Sequence, residues 1–312
     1  MPEWLIEDGI GETRFALIDD GKIVEARIEL DSIPRSGSVV AARLAQAGKR
    51  NAVARDDAGI EYLLPRGAPG VTEGGALNIE ITREPIPGNE PWKRPLARTT
   101  EAAVRAAAPL EGRASSGNEL GEAGWDDLIE EARSGVVRFA GGELRISPTP
   151  AMTLIDVDGY LAPDHLAVLG AAEAAKAIRR LDIGGSIGID LPTAGSKAAR
   201  QRAAEAIDAI LPQPFERTAV NGFGFVQIVR PRQRASLIEL GQDRAPFEAR
   251  ALLRRIGFES AGPKRLVAHP AIIAVLEGKA DWIDALSRRV GGAIGLRADP
   301  ALPMSGGYAE QA

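Results

Sequence analysis

The chain has 312 residues, 45% of them hydrophobic, with a mean hydropathy of −0.09 and a formal net charge of −5. That is chain enough for about two or three domains with a hydrophobic core, and no apolar run approaches the roughly 20 residues a membrane-spanning helix needs. Cysteine is absent, which excludes disulfides, thiolate zinc sites and cysteine nucleophiles and, with an acidic start ("MPEWLIEDGIG") that lacks a signal-peptide layout, predicts a cytoplasmic protein.

The charge is unevenly spread. Gly195 to Leu266 carries thirteen Lys/Arg against seven Asp/Glu, so the rest of the chain holds a net −11. Such a split either sets a basic surface beside an acidic pocket or simply solvates basic helix faces.

Near the N-terminus, "TRFALIDDGKIVEARIEL" reads as two strands joined at the hairpin signal "DDGK". Between residues 38 and 85, "SVVAARLAQ", "RNAVARD", "EYLLP" and "ALNIEIT" read as short strands broken by Gly, Pro and Asp, a pattern that fits a small barrel of the OB type. The stretch "PIPGNEPWKRPLART" is Pro-rich and irregular. Residues 100–124, rich in Ala, Gly, Ser and Glu, predict a short helix and then a flexible linker.

A second block opens near Trp125. "DDLIEEARSG" is helical, and "GVVRFAGGELRISPTPAMTLIDVDG" gives three strands. "PDHLAVLGAAEAAKAIRRLD" is a helix with Asp164 as its expected cap. "IGGSIGIDLP" is a strand ending in Asp190, "SKAARQRAAEAIDAIL" a basic amphipathic helix opened by Ser196, and "NGFGFVQIVRPRQR" a strand running out into arginines. Alternation of strands and helices predicts a mixed sheet with helices packed on it. Helices around "FEARALLRRIGF", "PAIIAVLEG" and "ADWIDALSRRV" and the strand "GGAIGLRADP" complete the tail. The expected fold class is thus α/β: an OB-like barrel module, a mixed sheet with helices, and a small C-terminal α/β domain.

Two apolar strands of the second block end in acid. Asp156 and Asp158 sit two residues apart in "TLIDVDG", so one strand projects both from the same face. Asp190 closes "SIGIDLP", 34 residues after Asp156. A strand–helix–strand crossover of that length lays the strands side by side and in parallel, with the acids at one edge. Converging carboxylates take up protons or a cation. Oxygen ligands without His or Cys select Mg²⁺ or Mn²⁺, and such an ion suits phosphodiester hydrolysis. The alternative is a set of unrelated solvated acids at strand ends.

The segment from about Ile129 to Leu237 resembles the catalytic subdomain of the ribonuclease E/G family. The resemblance is carried by "PTPAMTLIDVDG", by the Ala-rich helix of "AAEAAKAIRRLDIGG", by "LDIGGSIGIDLP" and by "NGFGFVQIVRPRQR", in that order and spacing. It implies a core of DNase I-like and RNase H-like subdomains in which Asp156 and Asp190 hold Mg²⁺ (or Mn²⁺), with Asp158 third. The family usually has asparagine where Asp158 stands, so that residue is either a ligand or an orienter. "ETRFALIDDGKIVEARIE" is similar to the hairpin of the family's RNase H-like subdomain, residues 38–98 to a shortened RNA-binding OB module, and the tail to its small C-terminal domain.

The resemblance implies five stretches: a hairpin at 1–35, the OB-like module at 36–99, a linker at 100–124 in place of the family's 5′-end sensor, a catalytic subdomain at 125–240 and a small domain at 241–312. It further implies a magnesium-dependent endoribonuclease that cleaves single-stranded RNA by metal-activated water and does not read the 5′ end. Without cysteines, no zinc bridges protomers. Arg83, Lys93 and Arg94 flank the loop expected near the scissile phosphate. Arg230, Arg232 and Arg234 point one way if extended and fit phosphate. Phe223 is a further RNA contact, although Phe223 and Phe225 also fit a core face. The family's base-stacking positions fall near Val53, Tyr62 and Leu63. His165 and His269 have no partner at metal spacing and read as structural, and Lys197, Arg200 and Arg202 as a solvated helix face. A non-catalytic RNA-binding protein on the same scaffold is the competing class.

Overall fold

The structure is a computed structural model that describes residues 1–31, 33–87 and 93–311. In chain order the strands of the first part are β1 (Glu3–Asp8), β2 (Glu12–Asp19), β3 (Lys22–Leu30), β4 (Val39–Gln46), β5 (Ala52–Asp56), β6 (Glu61–Leu64), β7 (Ala76–Arg83), β8 (Leu96–Thr100) and β9 (Arg113–Ala114). There follow α1 (Glu119–Glu122), α2 (Trp125–Ser134), β10 (Val136–Phe139), β11 (Gly142–Pro148), β12 (Thr153–Gly159), α3 (Pro163–Arg180), β13 (Gly185–Asp190), α4 (Lys197–Ile210), β14 (Glu216–Arg217) and β15 (Phe225–Arg230). The chain ends with α5 (Leu237–Gln242), α6 (Arg244–Gly257), β16 (Lys264–Ala268), α7 (Pro270–Glu277), α8 (Ala280–Val290), β17 (Ile294–Ala298) and β18 (Tyr308–Gln311). No helix among the described residues is long and apolar enough to cross a membrane.

The chain forms two compact units, one of Met1–Ser32, Gly112–Arg133 and Leu240–Ala312, the other of Ile33–Glu111 and Ser134–Glu239. In the first, the sheet β3-β2-β1-β9 accompanies the three-stranded sheet β17-β16-β18. The hairpin read at "DDGK" is present, with Asp20 and Gly21 both at positive φ, as a tight hairpin turn requires. Buried ions are paired: Glu7 with Arg14 and Arg254, Glu12 with Arg14 and Arg250. Removal of either sign alone would strand the other in a low dielectric.

In the second unit, β4-β5-β6-β8-β7 close into a barrel. Leu44, Tyr62, Leu64, Ile79 and Ile81 fill its interior. Residues 101–111 are not the helix that their alanines predict. They run extended, and Arg105 exchanges backbone hydrogen bonds with Val39, because intrinsic propensity yields to strand pairing.

The same unit contains the six-stranded sheet β10-β11-β12-β13-β15-β14. Only β12 and β13 are parallel there, joined through α3; the other pairs are antiparallel. Along β12, Thr153, Ile155 and Val157 are buried while Leu154, Asp156 and Asp158 are exposed, the period of two expected of a sheet with one covered face. Alanines bury the helices: Ala171, Ala174, Ala175 and Ala177 of α3, Ala199, Ala203 and Ala204 of α4. Asp164 does not cap α3. Its N-cap is Ala162, followed by Pro163, and the Asp164 carboxylate accepts hydrogen bonds from Gly195 N and Ser196 Oγ. Ser196 caps α4 as expected, accepting from Ala199 N. His269 is likewise a cap, Nδ1 accepting from Ala271 N.

Small side chains set the distance between α3 and β12. A Cβ on Gly170 would fall within the van der Waals radius of Val157 Cγ1. Gly170→Ala is therefore expected to destabilise the protein by about 1–3 kcal/mol, read as a lower urea midpoint with an unchanged m-value.

Candidate functional site

The parallel ladder pairs Thr153 with Ile187, Leu154 with Gly188, Ile155 with Ile189 and Asp156 with Asp190. Paired residues of neighbouring strands lie about 4.8 Å apart and share a face. Asp156 and Asp190 thus stand side by side on the face that no helix covers, and Asp158 stands one pleat further along. All three line one open cleft with Gly159, Leu161, Pro163, Thr193 and Phe223.

Burial first, and then repulsion from Asp158 and Asp190, push the Asp156 carboxyl up from the usual aspartate range; Arg145 and the Val157 backbone N–H oppose the rise. Asp156 titrates in a field that disfavours its charge, which is the electrostatic setting a cation relieves. Hard oxygen donors in mutual repulsion are chemically suited to Mg²⁺, which commonly uses one or two carboxylates and completes its shell with water and phosphate oxygens. Among the described residues, no three carboxylate or imidazole groups are disposed as a ready cage for a metal. Two-point binding by Asp156 and Asp190 is what the register favours.

Phe223 is not on the core face that was its alternative reading. It is 84% exposed, whereas Phe225 is half-buried on β15 with its ring tip over Gly188. A turn fixes the backbone that carries the exposed ring: Asn221 Oδ1 accepts from the backbone N–H groups of Phe223 and Phe225, at 2.9 and 3.0 Å. Gly224 has φ +92°, and a Cβ there would strike the Leu191 carbonyl; glycine alone satisfies both demands.

The arginines of "RPRQR" are not at this edge. Because β15 runs antiparallel to β13, Phe225 pairs with Asp190 and Arg230 with Gly185. Five residues of strand, about 16 Å, separate the two ends. Arg230 donates to the Ile183 carbonyl, Arg232 is paired with Glu239, and Arg234 with Asp182 at 3.0 Å. They tie down the far end of the sheet. Arg83, Lys93 and Arg94 lie on the barrel and do not line the acid cleft. Arg83 donates to the Arg94 carbonyl, and Arg94 pairs with Glu61 at 2.9 Å. The loop "PIPGNEPWK" lies partly outside the described residues, at 88–92. Tyr62 is barrel core and its hydroxyl donates to Asp56, while Val53 is buried outside that core cluster.

One cation beside the acids escaped sequence reasoning. β11 pairs Arg145 with Asp156 and Glu143 with Asp158, so both share the open face. Alternation in "GELRIS" carried the signal, since Leu144 and Ile146 are buried between them.

No family model matches the chain, and no curated protein matches it at a significant level.

The raised Asp156 pKa has a sign that can be measured. Between the unfolded aspartate value and the raised one, the native state binds more protons than the unfolded state, so stability falls as pH rises through that window. In EDTA, Asp156→Asn is expected to raise Tm at pH 7. The gain is expected to shrink as pH falls and to vanish once the wild-type carboxyl is protonated in both states.

Proposed function

We propose that this protein is a magnesium-dependent endoribonuclease resembling the ribonuclease E/G family, acting on single-stranded RNA without reading its 5′ end. The observation that carries the reading is the Asp156–Asp190 register on an uncovered sheet face, with Asp158 lining the same cleft. Asp156 and Asp190 would hold the ion, with Asp158 as a third ligand or as the group that orients them. Once bound, Mg²⁺ lowers the pKa of a water and offsets charge on the phosphate.

The protein's own residues supply the rest. The open face leaves room for a polymer to lie across the strand ends. The Phe223 ring stands exposed at the lip of the cleft on a backbone fixed by its turn, and offers a π-face to a base of any sequence. A base paired and stacked within a duplex cannot stack so, which favours single strands. The cleft is narrow in chemistry rather than shape, so the reading places discrimination between RNA and DNA outside these acids.

The competing reading is an RNA-binding protein that does not cleave. Two observations favour it: the acids form no three-ligand group among the described residues, and the barrel's Tyr62 is core rather than a stacking surface.

Cleavage of a fluorescent single-stranded RNA separates the two. Activity is expected with Mg²⁺ and absent in EDTA, with Asp190→Asn losing at least about 10²-fold. Binding by the wild type without cleavage under any divalent ion supports the RNA binder, and equal cleavage of the matching DNA reassigns the substrate. Mg²⁺ is also expected to raise the wild-type Tm at pH 7 and to leave that of Asp190→Asn nearly unmoved. Phe223→Ala is expected to weaken RNA binding about tenfold, within the range for one lost base stack, while Phe223→Trp retains it.

A further inference from the structure

We propose that Arg145 is the positioning residue that grips the substrate backbone at this site, and that Glu143 holds it in reserve until substrate arrives. The inference rests on the nuclease reading above and adds to it the group that seats the phosphate.

Arg145 stands on β11 directly opposite Asp156 and on the same uncovered face. Its side chain is 61% exposed. Among the described residues it makes one hydrogen bond, from Nη2 to Glu143 Oε1 at 2.6 Å. A guanidinium has five N–H donors in a fixed fork, so most of this one's capacity is directed at solvent. Glu143 lies two residues away on the same strand, opposite Asp158, and is only 26% exposed at its side chain. It therefore restrains the guanidinium at the margin of the acid group without saturating it.

This arrangement differs from that of the arginines at the end of β15. Arg230, Arg232 and Arg234 bind groups that secure the chain at the far edge. Arg145 secures nothing of that kind: its ion-pair partner Glu143 is two residues away on its own strand, and across the ladder it faces Asp156. A phosphodiester presents two oxygens that match the guanidinium fork, and the two-point contact exceeds the single bond to Glu143. Strand order gives the geometry. Arg145 on β11 and Phe223 before β15 flank the acids of β12 and β13 from opposite sides. Three inter-strand gaps of about 4.8 Å put roughly 14 Å between the outer strands. A chain crossing the strands would meet a phosphate grip on one flank and a stacking ring on the other, with the carboxylates between them. Neutralising a phosphate without reading a base is the usual work of such an arginine.

Full-length wild type, Arg145→Ala, Arg145→Lys and Glu143→Gln provide the test, with a 5′-fluorescein single-stranded oligoribonucleotide. Affinity is read by anisotropy in EDTA across a salt series, and cleavage by steady-state kinetics in Mg²⁺. Arg145→Ala is expected to weaken binding and raise KM about tenfold, with kcat little changed, and to reduce the salt slope by about one. Arg145→Lys recovers the salt slope and only part of the affinity. Glu143→Gln, which frees the guanidinium, lowers KM below wild type; a purely structural pair would not give that gain.

Wild type that cleaves, with Arg145→Ala unchanged in KM and salt slope, overturns this proposal and leaves the nuclease reading intact. So does an Arg145→Ala effect confined to the Mg²⁺ activation midpoint, since that marks a counter-ion for the acids. Wild type that binds RNA without cleaving overturns hydrolysis, and Arg145 is then judged by affinity alone. Wild type that neither binds nor cleaves overturns both.

Discussion

One backbone register governs the candidate site. With Asp156 opposite Asp190 in a parallel ladder, two carboxylates about 4.8 Å apart must face the same way. A slip of one residue would carry Asp156 and Asp158 to the helix-covered face and bring Ile155 and Val157 to solvent. That exchange would bury charge and expose the residues that now pack under α3. The apolar side of β12 thus holds the acidic side in register, and the position of the acids is fixed by hydrophobic burial on the opposite face.

The sheet can serve both purposes because its faces are unlike. Its covered face is packed by helices rich in buried alanine and by Gly170, where the chain comes close enough to Val157 to exclude any larger side chain. Close helix–sheet contact leaves the strands little room to shift. The open face bears Arg138, Glu143, Arg145, Asp156, Asp158 and Asp190. Charge there is carried by strands packed on helices rather than by loops.

Much of this was legible in the chain itself. The period-two pattern of "TLIDVDG" puts Asp156 and Asp158 on one face, and the helix-length gap to "SIGIDLP" predicts the parallel crossover; both are local or nearly local properties. The hairpin at "DDGK" and the Ser196 cap are local as well. What failed depended on orientation. "NGFGFVQIVRPRQR" reads as a strand, yet nothing in it says which end meets Asp190. Antiparallel pairing brings Phe223 to the acids and sends Arg230, Arg232 and Arg234 to the other edge. Residues 101–111 failed for another reason: alanine propensity is worth a few tenths of a kcal/mol per residue, and pairing with Val39 outweighs it. Arg145 was readable from alternation alone, but its significance required the β11–β12 register.

Charge on the open face links stability to function. Four carboxylates against two guanidiniums leave two negative charges there, and after burial, repulsion from Asp158 and Asp190 is what raises the pKa of Asp156. Internal arginines could have cancelled it, as they do around Glu7 and Glu12, where buried acids are matched by Arg14, Arg250 and Arg254. The same chain therefore treats its acids in two ways. Where they are buried, it pairs them, because an unmatched charge in low dielectric is ruinous to folding. Where they line the open cleft, it leaves them in partial repulsion beside an arginine that Glu143 holds by one hydrogen bond. Repulsion among exposed groups is softened by water and tolerable in the fold.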